Sequence, residues 1–511
     1  MRSSARCARD SSTEARRGIT RLAPMTHFDV LVIGTGSGNS IINHRFDGLR
    51  VAIAEADRFG GTCLNAGCIP TKMYVYPATR AAEAADSSGI DLSTSFDSAD
   101  WAALRDRIFA RIDAIEADGR AYRSERQENV TVYPERVRFT GTHTLVTDSG
   151  REISADRIVI AAGSAPVVPE IPGLDRALVD TPGYPVHTSR SIMRLETRPE
   201  SVLILGSGFI AAEFGHIFTG LGTRTTLAVR GDRMLPGADE TLRTRFTEAF
   251  SDLHDVRTGI EAERIRLLDD GRVEVSFRAT GRVSGAEVPA PLVVERLLLA
   301  TGRRPASEGL DPAAAGIDRH PDGRIAVDVH QRVLSGGAPL PGVFALGDIS
   351  SPHQLKHVAN HEARIVKANL VADIDAGAPG AAEAQALATT SHKGVPAAVF
   401  SSPQVAHVGM TEVEARAAGH DVVIGERDYA GVAYGWAMGD APGFVKVIAD
   451  RSSRLLLGAH IMGAEASMII QPLIQAIAFD QRADEVATGQ YWIHPALPEV
   501  VENALLDLDF R

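Results

Sequence analysis

The 511 residues contain only three cysteines, three tryptophans and 5% aromatic side chains. So few cysteines exclude a disulfide-stapled secreted scaffold and fit a reducing cytoplasm. No apolar run reaches the roughly 20 residues of a membrane-spanning helix, so no membrane association is expected. Positive charge is scarce as well. Against 65 Asp and Glu stand 53 Lys and Arg, giving a net charge of −12, and no basic stripe develops. Nucleic acid is therefore not an expected partner. What is present, 44% hydrophobic and 23% charged residues with 47 glycines, is the balance of a soluble α/β protein of more than one domain.

Residues 1–24 stand apart, with six arginines, four serines and no hydrophobic periodicity. Asp10, Glu14 and the lack of an amphipathic face argue against a transit peptide, and the missing apolar segment excludes a secretory signal. Residues 1–25 read as a disordered extension, with Met25 an alternative first residue. Cys7 falls in this extension and is given no role.

The other two cysteines, Cys63 and Cys68, lie in Gly60–Tyr76, GGTCLNAGCIPTKMYVY. Residues five apart on a regular helix sit roughly 8–9 Å apart at Cα, whereas a disulfide needs less than about 7 Å. A bridged pair therefore requires the backbone between them to leave ideal helix, and Asn65 and Gly67 tolerate that. Pro70 suits the first turn of a helix running on through Lys72. A bridge in so tight a loop is more readily reduced than a structural one. On the two cysteines alone, a redox pair and a pair of buried fillers both stand. Zinc needs four ligands, and with no second cysteine pair or histidine cluster nearby no metal is assigned.

The flanking sequence favours the redox pair. Phe28–Ile33 is a β-rich run that ends in Gly34-Thr35-Gly36-Ser37-Gly38-Asn39; a helical stretch is expected next, then a second strand, Val51–Glu55. This is a dinucleotide fingerprint: the glycines let the backbone approach a pyrophosphate at a helix N-terminus, and Glu55 binds ribose hydroxyls. Asn39 occupies the place of the third glycine. The fingerprint recurs as Ser201–Leu205 followed by Gly206-Ser207-Gly208-Phe209-Ile210-Ala211, a helix and Thr225–Val229. Here the second strand ends in Arg230 with Arg233 beyond it. Paired arginines bind a 2′-phosphate that a carboxylate would repel, so the second site should prefer NADP. Two such units imply two nucleotides, FAD first and NADPH second. Three further strands end in small-residue turns, Ile158–Gly163, Leu297–Gly302 and Val343–Asp348, and Asp348 could bind a ribityl or pyrophosphate-linked group.

The order of these strands implies that the NADPH unit interrupts the FAD unit. A Gly/Ala/Pro-rich linker, 375–389, precedes a final region with strands at Val445–Ile448 and Leu455–Met462 and an apolar helix at Ser467–Phe479. The last motif is HPALPE, in which His494 and Glu499 lie five apart. A histidine oriented by a carboxylate can protonate a leaving thiol, which thiol chemistry requires.

GGTCLNAGCIPTK, the two glycine fingerprints, ATGRRP, GVFALGD and HPALPE, in this order, resemble the flavoprotein disulfide reductase family from about residue 27 to the C-terminus. Shorter segments, including GTGSGNS, GSGFIAAEF and SSPHQLKHVANHEAR, resemble one branch of it that acts on a low-molecular-weight thiol disulfide. The resemblance implies two Rossmann-like domains and a C-terminal α+β dimerisation domain. Their bounds would be 26–188 and 299–380 for FAD, 189–298 for NADPH and 381–511 for the interface of a homodimer. It implies that Cys63 attacks the substrate disulfide and Cys68 faces the flavin, with Gly61 and Thr62 beside the cofactor. Lys72 would lie by the flavin ring, paired with Glu213. His494 and Glu499 would serve the partner subunit's cysteines. Phe209 stands where the family often has a gating tyrosine. Dihydrolipoamide dehydrogenase and glutathione reductase activities are the alternatives, with a flavoprotein docking subunit a third. The first normally has an acid near the position of Arg230.

Overall fold

The computed structural model describes residues 25–439 and 441–511, so Cys7 and its extension lie outside the described residues. Its first sheet is built on Thr26–Ile33, whose buried Val30–Ile33 pair in parallel with Val51–Ala54 on one side and Glu152–Ile160 on the other. Near-continuous apolar runs of this kind are what a parallel sheet covered on both faces requires. Val130–Tyr133 extends the sheet beyond Val51–Ala54, and Ala338–Ala345 pairs in parallel with Glu152–Ile160. Two adjacent strands of this sheet are thus separated in sequence by the whole of a second sheet. That second sheet has five parallel strands in the order Asp255–Thr258, Arg224–Val229, Ser201–Leu205, Arg296–Leu299, Val186–His187. A third, antiparallel sheet closes the chain: Pro396–Val399, Val405–Gly409, Leu456–Met462, Phe444–Asp450, Val422–Asp428. The architecture is the α/β fold with a C-terminal α+β unit that the sequence implies.

Helices α1 (Gly61–Ala66), α2 (Cys68–Ala85) and α3 (Trp101–Glu125) follow the first βα connection. Helix α4 (Phe209–Gly220) follows the second fingerprint, and α5 (Glu240–Leu253) follows Arg224–Val229. Between α2, α3 and α4 lies an aromatic stack, with Tyr74–Trp101 centroids at 5.0 Å, Trp101–Phe218 at 5.9 Å and Phe214–Phe218 at 6.1 Å. Such pairs add about 0.5–1.5 kcal/mol each beyond area burial. They press α2 onto α4, where Gly220 packs against the Ala78 carbonyl with room for no Cβ.

Two expectations fail locally. No α-helix follows the first fingerprint; Gly38–Ser40 and His44–Phe46 are single 3₁₀ turns. The interval to Val51 is short and carries Asn39, Ile41, Ile42, Asn43, Asp47 and Gly48, all poorer helix formers than Ala or Leu. Arg123 of α3, 6% exposed, takes over the carbonyls of this turn, donating to Asn39 O at 2.6 Å and Ile42 O at 3.1 Å. It also donates to Asn39 Oδ1 at 2.8 Å, which gives the departure from a third glycine a structural use. The expected helix at Ser467–Phe479 is two short helices, Ala466–Ile469 and Gln471–Ala478, because Pro472 has no N–H to continue the first.

The 375–389 stretch is pinned to α6 (Lys356–Asp375) through Asn369, which exchanges hydrogen bonds with Ala388. Elsewhere Lys446 of the third sheet, 3% exposed, bonds Asp239 at the N-cap of α5 at 2.9 Å, Glu412 at 2.9 Å and Thr241 at 3.0 Å. This buried junction joins the second sheet's helices to the C-terminal unit. Lys446→Ala strands the Asp239 carboxylate without its cation. The variant should lose about 3–5 kcal/mol, read as a lower denaturant midpoint with an unchanged slope.

Candidate active site

Cys63 lies in α1 and Cys68 opens α2, and the helices are separated at Gly67, whose φ of −137° and ψ of −126° are not helical. A Cβ on Gly67 would stand 3.0 Å from Thr62 O and 3.3 Å from Cys63 Cα. The break turns the second helix so that the two thiols come close enough to shift each other's pKa. Donation from Cys63, then the nearby Lys72 charge, outweighs burial and lowers the Cys68 pKa to about 6. For Cys63 the same hydrogen bond, reinforced by burial, pushes the thiol up, while the charge of Lys356 opposes it. The two shifts run in opposite directions and favour the proton on Cys63 and the charge on Cys68.

One turn beyond Cys68, Lys72 Nζ contacts both oxygens of Glu213 at 2.7 and 2.8 Å and lies 4.7 Å from the centroid of the Phe400 ring. Glu213, in the second turn of α4, is 3% exposed and also accepts from Phe400 N–H. Burial pushes its carboxyl up, and Lys72 opposes this. The pair links the thiol-bearing helix to the second sheet's helix.

These residues share a cavity of about 1010 Å³, walled by Gly34–Ser37, Glu55, Gly61, Thr62, Cys63, Cys68, Lys72, Gly163, Phe209, Ile210, Glu213, Asp348 and Lys356. Gly34, with φ of +99°, brings the loop so near the next strand that a Cβ would stand 2.3 Å from Ala161 O; Gly206, at φ +148°, meets Ala300 O in the same way. Glu55 accepts from Thr35 N–H and Oγ1 at 2.9 and 2.7 Å, which ties the acid to the first glycine loop. Asp348 accepts from Ser164 Oγ at 2.6 Å, and Arg303 donates to the same hydroxyl at 2.9 Å. Gly36 and Gly163 have nothing within 4 Å of an added Cβ, so side chains there would fill the space that a dinucleotide needs. The cradle fits FAD.

Other expected residues lie apart from this wall. Gly206 and Gly208 form the second loop, capped by α4, with Gly302 on the neighbouring strand's turn. Arg230 is exposed at the end of Arg224–Val229. Arg233 is held by Glu240, with Asp232 at 3.2 Å and Thr244 at 3.0 Å, so a phosphate would have to compete with carboxylates for it. His494 and Glu499 are joined at 2.6 Å, and His494, whose side chain is 72% exposed, is not on the wall holding the thiols of its own chain. The hydrogen bond from His494 holds the Glu499 carboxyl below its usual range. No spacing in the sequence points to Lys356, Arg303 or Arg123. The one signal for Lys356 is a cation opening a helix, against the usual dipole preference.

A nucleotide-binding cavity with a reactive thiol pair on its wall, beside a second dinucleotide loop, defines a nucleotide-linked disulfide oxidoreductase. Comparison with known proteins agrees: the chain belongs to the pyridine nucleotide-disulphide oxidoreductase family, whose model matches residues 28–363, with the family's dimerisation domain at 395–505. It is an NADPH-dependent flavoprotein disulfide oxidoreductase with FAD and NADPH as cofactors. It is 47% identical to mycothione reductase of Mycobacterium tuberculosis over 489 residues, 95% of this chain and 100% of that protein. Identity is 32% with glutathione reductase of Burkholderia cepacia, over 92% of this chain and 97% of that protein. Among solved structures, the HOCl-induced flavoprotein disulfide reductase RclA from Escherichia coli matches with a TM-score of 0.74 and 26% identity, covering 94% of this chain and 99% of that one.

Two outcomes follow from the geometry. The long-wavelength flavin–thiolate absorbance of the two-electron-reduced enzyme should be present above the Cys68 pKa of about 6 and fade as pH falls through it. Cys68→Ser should abolish the band, Cys63→Ser should retain it, and Lys72→Met should move its titration to higher pH. For the nucleotide, Arg230→Ala should weaken NADPH about tenfold or more and leave NADH nearly unchanged, as loss of a charge-assisted phosphate bond requires. Arg233→Ala should cost less, because Glu240 already occupies it. Equal losses for both nucleotides would assign Arg230 to folding and not to recognition.

Proposed function

We propose that this protein reduces mycothione to two molecules of mycothiol at the expense of NADPH and a proton. The observation that carries the reading is the Cys63–Cys68 pair, held across a helix break in the cavity wall beside Lys72–Glu213. The 47% identity to mycothione reductase over 95% of the chain supports the choice of substrate, and the 32% identity to glutathione reductase supports that alternative less.

FAD, when bound, carries the electron pair from the nicotinamide to the cysteine disulfide. Once both cysteines are reduced, Cys63 gives its proton to the partner subunit's His494 and attacks one sulfur of the substrate. A mixed disulfide forms on Cys63, and the first mycothiol departs with a proton from the partner subunit's His494, oriented by Glu499. The Cys68 thiolate then attacks Cys63 Sγ, the Cys63–Cys68 bond re-forms, and the second mycothiol leaves as its thiolate, which takes up the proton that the overall reaction consumes. The low pKa of Cys68 keeps the resolving sulfur as thiolate, and the higher one of Cys63 makes a base necessary at the attacking sulfur. Lys72, fixed by Glu213, keeps a positive charge beside that thiolate. Glu55 and Asp348 are assigned to ribose and ribityl hydroxyls, the Gly34–Gly38 loop to the FAD pyrophosphate, and the Gly206–Gly208 loop with Phe209, Ile210 and Arg230 to NADPH.

Service across the dimer is inferred from the exposure of His494 together with that of Tyr491 and Ile493 in the same stretch. Exposed apolar side chains clustered beside a catalytic group mark a surface that another chain covers. His494→Gln and Cys63→Ser proteins should each show little disulfide reduction. Mixed in equal amounts under subunit exchange, they should regain roughly a quarter of the wild-type activity per site, by counting one intact site in each heterodimer of a twofold dimer. Exchange without recovery would place His494 in its own subunit's chemistry or outside it. Turnover of mycothione against glutathione disulfide and lipoamide tests the substrate directly; preference for either of the latter overturns that choice.

A further inference from the structure

The two fingerprints are not equivalent. After Gly208 the chain enters α4, a twelve-residue helix that directs its N-terminal N–H groups and positive dipole end at whatever binds the loop. After Gly38 there is a three-residue 3₁₀ turn, with Ser40 and Ile41 N–H groups already spent on Ser37 and Gly38 carbonyls. A dinucleotide pyrophosphate bound at the first loop therefore lacks the helix that usually faces it. Two cations from elsewhere in the chain converge there.

Lys356, the first residue of the twenty-residue helix α6, reaches across to the loop and donates to Ser37 Oγ at 2.9 Å; that hydroxyl donates in turn to Asn360 Oδ1 at 2.9 Å. Lys356 lies on the cavity wall with Gly34, Gly36 and Gly61, and among the described residues no carboxylate stands within 4 Å of its ammonium. No acid occupies the first turn of α6. A lysine opening a helix adds positive charge to an already positive end, an arrangement that favours an anion nearby. Behind the turn, Arg123 is buried on carbonyl and amide oxygens, again with no carboxylate within 4 Å among the described residues. This differs from Lys72, whose charge Glu213 already balances.

We propose that Lys356 supplies, at the first fingerprint, the positive charge that a helix N-terminus would otherwise direct at the FAD pyrophosphate, with Arg123 as the positioning residue that fixes the shortened turn. The inference rests on FAD occupying this loop, which the flavin content of the wild-type protein reports separately.

FAD release from the holoenzyme on dilution, followed by flavin fluorescence, measures the effect. Lys356→Met should weaken FAD binding at least tenfold, and Lys356→Arg should restore most of it. A charge acting on the pyrophosphate holds oxidised and reduced FAD alike, so the flavin midpoint potential of Lys356→Met should equal that of the wild type. A tenfold loss confined to the reduced form would lower the potential by about 30 mV for a two-electron couple, placing Lys356 at the flavin ring and overturning the proposal. Unchanged FAD affinity overturns it too. NADPH binding at the second loop serves as the folding control: it should be intact, and a parallel loss there would mean that Lys356 acts through the fold. Arg123→Gln should likewise weaken FAD and leave NADPH binding unchanged.

Discussion

Two sulfurs separated by four residues have to meet, and a continuous helix forbids it, since it keeps their Cα atoms roughly 8–9 Å apart. The break at Gly67 resolves the conflict while keeping each cysteine on a helix. Much else follows from that break. Helix α2 starts at Cys68, so its thiolate is held by the first helical turn and by the Cys63 thiol, and Lys72 falls one turn farther along. Were the segment one helix, the sulfurs would be apart and Cys68 would lose the hydrogen bond that contributes most to its low pKa.

The Lys72–Glu213 pair carries this local geometry into the tertiary structure. A buried carboxylate is expensive unless compensated, and Glu213 is compensated from outside its own unit, by α2 and by the Phe400 N–H of the C-terminal unit. Three parts of the chain thus meet at one charge. The aromatic stack from Tyr74 to Phe218 supplies the apolar contact that keeps α2 and α4 registered. Lys446 plays a comparable part at the next junction, where Asp239 and Glu412 approach from different units. Both of these buried ion clusters sit where different sheets and their helices meet.

The cavity's electrostatics also depend on which helices are present. The second nucleotide loop is served by its own helix; the first is served by side chains from α3 and α6, far away in sequence. That asymmetry explains why Asn39 stands in place of a third glycine. A helix would need close packing there, whereas a turn needs an acceptor for Arg123, and Asn39 offers both its side-chain and main-chain oxygens.

Local pattern and spacing were enough to reveal the parallel strands, the two glycine loops, the need for a break between Cys63 and Cys68, and the interruption of one nucleotide unit by the other. Each rests on short-range physics: apolar runs for covered strands, glycine where backbones touch, a helical rise that fixes how far apart two cysteines can be. The pairing of Lys72 with Glu213 was legible only through resemblance, because no periodicity links positions 141 residues apart. The helix expected after Gly38 did not form, since its sequence is too short and too poor in helix formers and its carbonyls find Arg123 instead. Nor could the sequence show that Arg233 is engaged by Glu240 or that Lys356 reaches Ser37. Those relations depend on how α3, α6 and the C-terminal sheet pack around the first two sheets, and only the tertiary structure brings such distant charges within reach of one another.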